Sequence, residues 1–381
     1  MDIQELRSRF ESEFGRKATA AFRAPGRVNL IGEHTDYNDG FVLPIAINRE
    51  TTILVAPRED RKVCIVSLAA EKPGKFDLEG EITPGDPVWL NYCKGVAAGL
   101  LEKGIAISGA DILMNTTVPI GGGLSSSASL EVATALALMH STETPLKGME
   151  LALLCQKAEH EYAGMPCGIM DQAISILGKD GAALLLDCRS SETRLIPFNN
   201  PDLVLLVCNT NVKHSLADGE YAKRRRKCHE AADKLGVASL RDTDTATVAR
   251  AGEDGVLDGD HLRRARHVVG EIDRTLKAVE ALDAGDYDSF GQLMYGSHKA
   301  LSEDYEVSCD ELDAIVDIAS SCEGVYGARM TGGGFGGCAI VLARAENADQ
   351  VSETISSRYR DRFGMDCTIF ATVAADGAGP V

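Results

Sequence analysis

The chain has 381 residues, of which 44% are hydrophobic and 25% are charged, and these values fit an ordinary globular protein of about two domains. Its formal net charge of −18 would repel nucleic acid and anionic membranes, so we expect neither as a partner. The eleven cysteines are scattered without a Cys-x-x-Cys pair, which argues against a zinc site or a disulfide framework.

The first segment of the chain is predicted to be a helix. Residues 1–7 carry charges of both signs among apolar positions, a pattern typical of an amphipathic helix and not of a secretory signal. No run in the chain approaches the roughly 18 apolar residues that a membrane span needs. We therefore expect a cytoplasmic protein whose cysteines are reduced.

A polar turn is predicted within residues 24–37. Three polar side chains, Glu33, His34 and Asp36, fall within four residues after the apolar pair 30–31. Together they could offer several hydrogen-bond acceptors to one small ligand that is rich in hydroxyls. From these residues alone, a solvated loop with ordinary charges is the favoured interpretation.

Residues 118–129 combine a glycine-rich loop with the start of a helix. Three glycines at 121–123 allow a sharp turn and a close approach to a ligand, and serines follow them. Apolar residues then recur at helical spacing over residues 130–138. A loop that opens a helix in this way presents unpaired N–H groups and the positive end of the helix dipole, which suits phosphate. A tight turn with serine caps is the alternative, and the Gly-Lys-Ser/Thr of a Walker A loop is missing.

The remaining elements indicate alternating strands and helices in two halves. Strands are predicted at residues 52–56, 182–186 and 203–208, and helices at residues 145–163, 215–235 and 261–284. Turn-forming residues at 189–193 and 199–201 separate the halves, so we expect domains at residues 1–195 and 196–381. The basic run 224–227 is interpreted as a helix face paired with acidic side chains, not as a polyanion site.

A second glycine-rich stretch, residues 332–337, matches the Gly-x-Gly-x-x-Gly pattern of dinucleotide-binding loops. That pattern needs a helix after the glycines and an acidic residue about 20 positions later. Here a strand-like apolar run, residues 338–342, follows the glycines instead. A dehydrogenase is therefore disfavoured, although the glycines still indicate a close approach of the backbone to a ligand.

Four segments, taken together, resemble the GHMP small-molecule kinases and, within them, the galactokinase family. The segments are residues 26–37, 119–128, 164–172 and 328–337. The first and third are highly specific to that family, whereas the two glycine-rich loops are shared across the superfamily. The resemblance runs from about Phe22 to the C-terminal region and so covers nearly the whole chain.

This resemblance implies an α+β fold with the two-domain GHMP kinase architecture. The N-terminal domain would be like a ribosomal-protein fold and the C-terminal domain ferredoxin-like, with the active site at their interface. The implied reaction transfers the γ-phosphoryl group of ATP to the C1 hydroxyl of D-galactose, which gives galactose 1-phosphate and ADP. The implied partners are therefore galactose and MgATP, and we expect a monomer or a weak homo-oligomer.

Two residues match the catalytic positions of the family. Asp171 matches the aspartate that faces the anomeric hydroxyl, and Arg27 matches an arginine beside that aspartate and the transferred phosphoryl group. An arginine there would keep the carboxylate ionised and offset transition-state charge. From the residues alone, Asp171 would be a helix-cap carboxylate and Arg27 part of a structural ion pair.

The resemblance also implies Mg²⁺ as the cofactor. Ser127 and Glu159 match the serine and glutamate ligands of the family, and Mg²⁺ takes oxygen ligands while it keeps several waters. Without the resemblance, Glu159 would be one of several charges on a helix face. Glu161 lies two positions later and could be confused with it.

Two sets of ligand-binding residues follow from the same resemblance. The sugar-binding positions are Glu33, His34, Thr35, Asp36, Gly168, Asp171 and Tyr221. The ATP-binding positions are Trp89, Gly121, Gly122, Gly123, Leu124, Ser125, Ser126, Ser127 and Ala128. Trp89 belongs to a segment similar to one near the adenine, and a buried tryptophan would otherwise be ordinary core.

Two other functions remain open alternatives. A sister kinase could act on N-acetylgalactosamine or arabinose, because the pocket walls and not the motifs set that choice. A galactose-sensing transcriptional co-regulator would keep the fold and bind sugar and ATP without turnover. Proteins of that kind have lost a Ser-Ala pair from the phosphate loop, and Ser127-Ala128 is present here. We therefore favour the enzyme.

Overall fold

The computed structural model describes residues 1–213 and 217–381. Within that part of the chain, groups of strands alternate with groups of α-helices. The α-helices are α1 (Ile3–Phe14), α2 (Leu90–Glu102), α3 (Ser126–Leu138), α4 (Gly148–Ala158), α5 (Met170–Leu177), α6 (Ala217–Leu235), α7 (Thr245–Glu253), α8 (Gly259–Ala284), α9 (Tyr287–Glu303), α10 (Asp310–Ser320) and α11 (Ala348–Phe363). A π-helical turn, Glu159–Ala163, continues α4, and a short 3₁₀ turn covers Asp36–Asn38.

The strands of the described residues form three sheets. They are β1 (Ala20–Asn29), β2 (Phe41–Val42), β3 (Pro44–Pro57), β4 (Lys62–Ser67), β5 (Gly74–Asp77), β6 (Ala110–Thr116), β7 (Ala182–Asp187), β8 (Thr193–Pro197), β9 (Leu203–Lys213), β10 (Val325–Thr331), β11 (Gly336–Arg344), β12 (Thr368–Thr372) and β13 (Gly379–Pro380). The largest sheet has the order β13-β1-β3-β6-β4-β5, in which only the β4–β6 pair is parallel. An antiparallel sheet has the order β10-β11-β9-β12, and β2, β7 and β8 form a small third sheet.

The six-stranded sheet is covered on both faces, which explains the long run of buried residues along β3. Successive side chains of a strand point to opposite faces. Ile53 and Val55 accordingly pack against α2, α3 and α4, whereas Leu54 and Ala56 pack against α1. The first half of the chain is therefore a sheet held between α1 and a layer of helices.

The four-stranded sheet carries the core of the second half. One face of its central strands packs against α6, α8, α10 and α11. Ile340 and Leu342 point to the other face, where they contact α9 and also Val28 and Ile45 of the first half. The two halves therefore meet through a shared apolar cluster.

The predicted α+β class is confirmed, and most predicted elements are present. The predicted strands lie within β3, β7 and β9, and the helix predicted at residues 261–284 lies within α8. The helix predicted at residues 145–163 is α4 followed by the π-helical turn. The helix predicted at 215–235 corresponds to α6, and its predicted start at residues 215–216 lies outside the described residues.

The division between the halves differs in detail from a simple cut at 195/196. That position falls inside β8, which pairs with β7 and so belongs with the first half. After β12 the chain returns to the first half, where Ala374 bridges to Ile47 and β13 pairs with β1. We therefore propose a boundary within residues 198–202, with the C-terminal segment completing the first domain.

Three expectations from composition can be compared with the structure. All eleven cysteines are free in the structure, and the expectation that they are reduced stays a prediction. The basic run is paired with acidic side chains, as predicted, since Arg224 contacts Glu220 at 2.7 Å and Lys227 contacts Glu230 at 2.7 Å. Among the described helices, none has the length and apolar character required to cross a membrane.

Candidate active site

A cavity of about 630 Å³ lies between the two halves, a size typical of small-molecule sites. It is lined by the polar turn after β1, the loop before α3, the segment around the start of α5 and the loop between β10 and β11. The predicted residues that line it are Arg27, Glu33, His34, Asp36, Trp89, Gly121, Gly123, Ser125, Ser126, Ser127, Glu159, Gly168, Asp171 and Tyr221. The structure therefore brings together residues from all four segments that suggested a ligand site.

Arg27 and Asp171 form a two-pronged ion pair on the cavity wall. Nε and Nη2 of Arg27 each donate to one carboxylate oxygen of Asp171, both at 2.8 Å. The remaining nitrogen, Nη1, donates to the carbonyl of Gly123 at 2.5 Å. Burial opposes the charge of Arg27, but Asp171 and Glu33 outweigh it and raise the pKa of the guanidinium. The pair thus fixes a carboxylate next to the glycine-rich loop.

The glycine-rich loop has a backbone that requires glycine, with φ of +71° at Gly121 and +74° at Gly123. Ser125 follows in the left-handed region and immediately precedes α3. Its hydroxyl makes no cap bond to the helix backbone and instead donates to Asp171. Ser125 therefore does not cap α3, as the alternative interpretation of this loop would require. Uncapped N–H groups at the start of α3 suit an anionic group.

Four predicted residues lie behind the cavity surface. Leu124 and Ala128 are fully buried, and the Leu124 carbonyl accepts from the backbone of Arg27 at 3.1 Å. Gly122 makes a turn contact with the Pro119 carbonyl. Thr35 departs from the expected sugar contact, because its hydroxyl lies 2.8 Å from the Gly32 carbonyl and 2.7 Å from that of Phe41. These residues support the glycine-rich loop and the polar turn on the side away from the cavity.

Glu159 is buried at the head of the π-helical turn, a kind of helix irregularity often found at functional sites. Its carboxylate accepts from Gln172 at 2.7 Å and bonds Ser127. Burial, followed by repulsion from Asp171, raises the pKa of Glu159 to about 7. Glu161, by contrast, is exposed and lies 3.9 Å from Lys157. Glu159 and Glu161 are only two positions apart in the sequence, but the structure distinguishes them because Glu159 is buried and Glu161 is exposed.

A buried acidic residue next to Glu159 was missed from the sequence. Glu131 on α3 is fully buried, and Gln172 donates to its carboxylate at 3.1 Å while it also donates to Glu159. Burial and the charge of Glu159 raise the pKa of Glu131 well above its ordinary value. The available signal was one charged residue inside an otherwise apolar helix.

Glu33 is 1% exposed, and protein donors already surround its carboxylate. Asn29 and the backbone N–H of Gly332 donate to it, and Arg329 lies 3.8 Å away. Burial raises the pKa of Glu33, although Arg329 and Arg27 oppose that rise. Glu33 therefore joins the first half to the loop after β10.

His34 lies beside Tyr221 on the wall of the cavity, with ring centroids 5.5 Å apart. Its backbone is in the left-handed region, with φ of +63°. Burial and the charges around it lower the pKa of His34 to about 3, so the ring is neutral at physiological pH. One face of the cavity is thus formed by aromatic rings that carry polar atoms.

Asp36 and Gly168 approach each other closely. A Cβ atom at Gly168 would lie only 1.8 Å from the Asp36 carboxylate, so glycine is required at that position. Burial, followed by repulsion from Asp171, raises the pKa of Asp36 to about 7. The cavity therefore holds two carboxylates, Asp36 and Asp171, that repel each other in the absence of a ligand.

The apolar walls of the cavity were largely missed from the sequence. The additional lining residues include Tyr92, Met114, Ile120, Leu130, Met165, Cys167 and Phe335. Cys167 and Met165 come from the stretch that precedes Gly168. Apolar side chains carry no local signal of this kind, since most of them in any chain form core.

Comparisons with known proteins agree on one family. The galactose-binding signature of galactokinase matches residues 8–57, and the N- and C-terminal domains of GHMP kinases match residues 91–179 and 278–361. The human galactokinase is 46% identical over 99% of this chain and 96% of its own length, and the Chloroflexus aggregans galactokinase is 45% identical over 99% and 97%. A solved structure of Lactococcus lactis galactokinase complexed with galactose superposes with a TM-score of 0.94 at 35% identity, with both chains fully covered. The chain belongs to the galactokinase family of the GHMP kinases.

Proposed function

We propose that this chain transfers the γ-phosphoryl group of ATP to the C1 hydroxyl of D-galactose, giving galactose 1-phosphate and ADP. One observation carries the proposal. Asp171 is held by Arg27 at the point where the polar turn meets the glycine-rich loop, inside one cavity. A carboxylate at such a junction can accept a proton from a sugar hydroxyl while the phosphoryl group arrives from the other side.

Arg27 has two roles in this proposal. Its two bonds to Asp171 orient that carboxylate, so that an oxygen can face the anomeric hydroxyl. Its positive charge also lies beside the glycine-rich loop, where it offsets the charge that develops during phosphoryl transfer. Asp171 acts as the base or as the group that orients the hydroxyl.

The sugar would be held by Glu33, His34, Asp36, Gly168 and Tyr221, which line one end of the cavity. Asp36 offers carboxylate oxygens to sugar hydroxyls, and Glu33, already bound by donors from the protein, fixes the turn. A site built to bond hydroxyls rejects ligands that lack them, because its buried polar groups would then be unpaired. This end therefore sets the sugar preference.

We also propose Mg²⁺ as the cofactor, with Ser127 and Glu159 as its protein ligands. Glu159 is buried and accepts only from neutral donors among the described residues, which leaves its charge to be balanced by a cation. Within the described part of the chain, no group of three or more His, Cys, Asp or Glu side chains is arranged to bind a metal. A site with one carboxylate and one hydroxyl fits a cation that is otherwise bound by waters and phosphates. Bound there, Mg²⁺ would neutralise phosphate charge.

The test is ADP release with MgATP over a panel of sugars that includes galactose, N-acetylgalactosamine and arabinose. We expect turnover with galactose above the other two sugars, and turnover at least about 100-fold lower in an Asp171→Asn preparation purified in the same way. That variant controls for contaminating kinases. Folded protein that releases no ADP with any sugar would point to a sugar-sensing protein. A higher kcat/KM for another sugar would reassign the substrate.

Two further properties stay predictions. We expect the protein in the cytoplasm, where reduced cysteines and its substrates occur together. We also expect a monomer or a weak homo-oligomer. Sedimentation at several protein concentrations would test the second expectation.

A further inference from the structure

Glu271 on α8 is a fully buried carboxylate that the proposed reaction does not use. One of its oxygens, Oε1, accepts from the backbone N–H of Gly32 in the polar turn at 3.0 Å. The same oxygen accepts from the Ser297 hydroxyl on α9 at 2.5 Å, and Oε2 accepts from Nε of Arg274 at 2.8 Å. A side chain of the second half therefore holds the backbone of the turn that carries the proposed sugar ligands.

Two further residues of α8 contact the same turn. His267 and Thr275 lie four positions before and after Glu271, so all three side chains share one face of the helix. Nε2 of His267 lies 3.1 Å from the Glu33 carbonyl, and since a carbonyl only accepts, the ring nitrogen is the donor. Thr275 packs against Gly32, because a Cβ atom there would lie 3.1 Å from its hydroxyl oxygen. One face of α8 thus supplies an acceptor to one peptide group of the turn and a donor to another.

The backbone at Gly32 is in a conformation that requires glycine. Its φ is +102°, and a Cβ atom would lie 2.6 Å from the Phe41 carbonyl oxygen. Gly32 is buried, so its N–H needs a partner within the protein, and Glu271 supplies that partner. Because Glu33 and His34 follow directly, a shift of the backbone at Gly32 would move residues that line the sugar end of the cavity.

The surroundings of Glu271 suit a charged carboxylate and not an amide. Both of its oxygens accept from donors, and Arg329 lies 3.6 Å from Oε1. Burial opposes the charge, but Arg274 and Arg329 outweigh it and lower the pKa of Glu271 to about 2. Arg329 also donates to the Asn29 carbonyl at 2.9 Å and lies 3.8 Å from Glu33. Glu271 therefore anchors the arginine that balances Glu33 as well as the backbone of the turn.

We propose that Glu271 is a positioning residue for sugar binding, which holds the polar turn from the second half in the geometry that accepts galactose. This inference rests on the proposed function for the identity of the ligand. Glu271 is fully buried and acts on the sugar only through the Gly32 backbone and Arg329. Sugar affinity therefore depends on how α8 is seated against the turn of the first half, whereas ATP affinity does not.

The first test is Glu271→Gln, which keeps the size of the side chain but turns an NH₂ group toward the donor at Gly32 or the donor at Arg274. We expect the Kd for galactose, measured by calorimetry without nucleotide, to rise about tenfold, the size of one lost hydrogen bond to a charged group. The KM for ATP should stay within about twofold of wild type and kcat within about threefold. An unchanged Kd for galactose in folded Glu271→Gln would overturn the proposal.

Asp111→Asn is the matched control, because Asp111 on β6 is another buried carboxylate that two arginines hold. Arg58 donates to one of its oxygens at 2.7 Å, and Nε of Arg16 donates to the other at 3.0 Å. Both variants should lose stability, but only Glu271→Gln should lose affinity for galactose. An equal loss of galactose affinity in the two variants would refute the positioning role, since general damage would then explain it.

The second test reads the Gly32 N–H in the ligand-free protein. Labelling with ¹³C-isoleucine and ¹⁵N-glycine selects the two Ile-Gly pairs of the sequence, of which Gly32 is in one. Hydrogen exchange at Gly32 should be at least about tenfold faster in Glu271→Gln than in wild type, and unchanged in Asp111→Asn. Equal exchange in wild type and Glu271→Gln would overturn the proposal. Wild type that binds no galactose would overturn the proposed function, and this comparison would still decide whether Glu271 holds the turn.

Ser297→Ala gives the same comparison if Glu271→Gln does not fold. It keeps the charge of Glu271 but removes a donor to Oε1 and an acceptor for Nε of Arg329. We expect the Kd for galactose to rise about threefold, with faster exchange at Gly32. A Kd and an exchange rate equal to those of wild type would overturn the proposal.

Discussion

The two ends of the cavity treat buried carboxylates differently. At the sugar end, Glu33 is bonded by Asn29 and Gly332 and lies 3.8 Å from Arg329, so its charge is balanced within the protein. At the phosphate end, Glu159 is also buried, but among the described residues its hydrogen-bond partners are neutral and no ion pair reaches it. Glu33 therefore has an arginine within ion-pair distance, whereas Glu159 has no cationic partner among the described residues.

This difference suggests that the sugar end works through a fixed geometry and the phosphate end through its unbalanced charge. A carboxylate balanced by arginine holds its geometry before the substrate arrives, which suits selection of a sugar by hydrogen bonds. An unbalanced carboxylate binds a cation well because the cation removes an existing repulsion. The Arg27–Asp171 pair lies at the junction of the two ends, where the proposed reaction would transfer one proton and one phosphoryl group.

The largest expected effect comes from breaking that junction. Asp171→Asn keeps the size of the side chain but cannot take a proton, so turnover should fall by roughly 10²–10⁴, the usual range for a general base. Calorimetry should show nearly unchanged affinity for galactose and for MgATP. The measurement is the single-turnover rate at saturating substrates. A rate within about threefold of wild type would mean that Asp171 only orients the hydroxyl or shapes the helix start.

The balance at the sugar end can be removed by Arg329→Met. Arg329 is fully buried and lies near both Glu33 and Glu271, with the second at 3.6 Å. Deleting a buried charge partner leaves its carboxylates uncompensated and typically costs about 3–5 kcal/mol of unfolding free energy. Urea denaturation monitored by tryptophan fluorescence measures this loss. A loss below about 1 kcal/mol would show that hydrogen bonds, without Arg329, hold Glu33 in place.

At the phosphate end, which contains Ser127 and Glu159, the expected effect is the opposite of that in Arg329→Met. Glu159→Gln should weaken metal binding without lowering stability. Apparent affinity for Mg²⁺ should fall by about 10–100-fold, measured with Mn²⁺ by paramagnetic resonance in the presence of nucleotide. The pKa of Glu159 is raised to about 7 in the folded chain. Its burial therefore lowers the free energy of unfolding progressively as the pH rises from the pKa of the same group in the unfolded chain toward 7. The variant should therefore be at least as stable as wild type near pH 8.

Glu161→Gln is the matched control for that experiment. Glu161 lies on the same π-helical turn but is exposed, so its replacement should change neither Mn²⁺ binding nor stability by a measurable amount. If Glu161→Gln weakens Mn²⁺ binding and Glu159→Gln does not, the metal position is wrong.

The smallest expected effect is a pH dependence at the sugar end. The pKa of Asp36 is raised to about 7, first by burial and then by repulsion from Asp171. Sugar hydroxyls should bond the ionised form, so galactose affinity should be constant above pH 7 and fall by up to about tenfold per unit below it. Asp36→Asn should bind more weakly near pH 8 and show a flat profile between pH 6 and 8. A flat wild-type profile in calorimetry would contradict this role of Asp36.

Features that are contiguous in sequence were predicted well. The two glycine-rich loops are visible in the sequence because several glycines fall within a few residues, whereas the residues of the polar turn alone favoured a solvated loop and its role came from the resemblance. The pairing of Arg27 with Asp171, which are 144 residues apart, came from family resemblance and not from pattern. The strands and helices with clear periodicity were also found, since each depends on its own residues.

Features that depend on long-range packing could not be predicted. The return of the C-terminal segment to pair with β1 involves a strand of two residues, too short to show alternation. The bond between Tyr37 and Tyr305 spans 268 residues, and neither tyrosine differs locally from ordinary core. Thr35 was expected at the sugar because its neighbours are there, but its hydroxyl is used by the turn itself.

The most direct measurement of the central claim is the position of the transferred phosphoryl group. The Arg27–Asp171 junction is proposed to serve the anomeric hydroxyl, so ³¹P spectra of galactose incubated with MgATP should show a sugar phosphate coupled to the anomeric proton, with one ADP per product. Asp171→Asn should produce that signal far more slowly under the same conditions. A phosphate on another sugar hydroxyl, or inorganic phosphate with ADP and no sugar phosphate, would contradict the account.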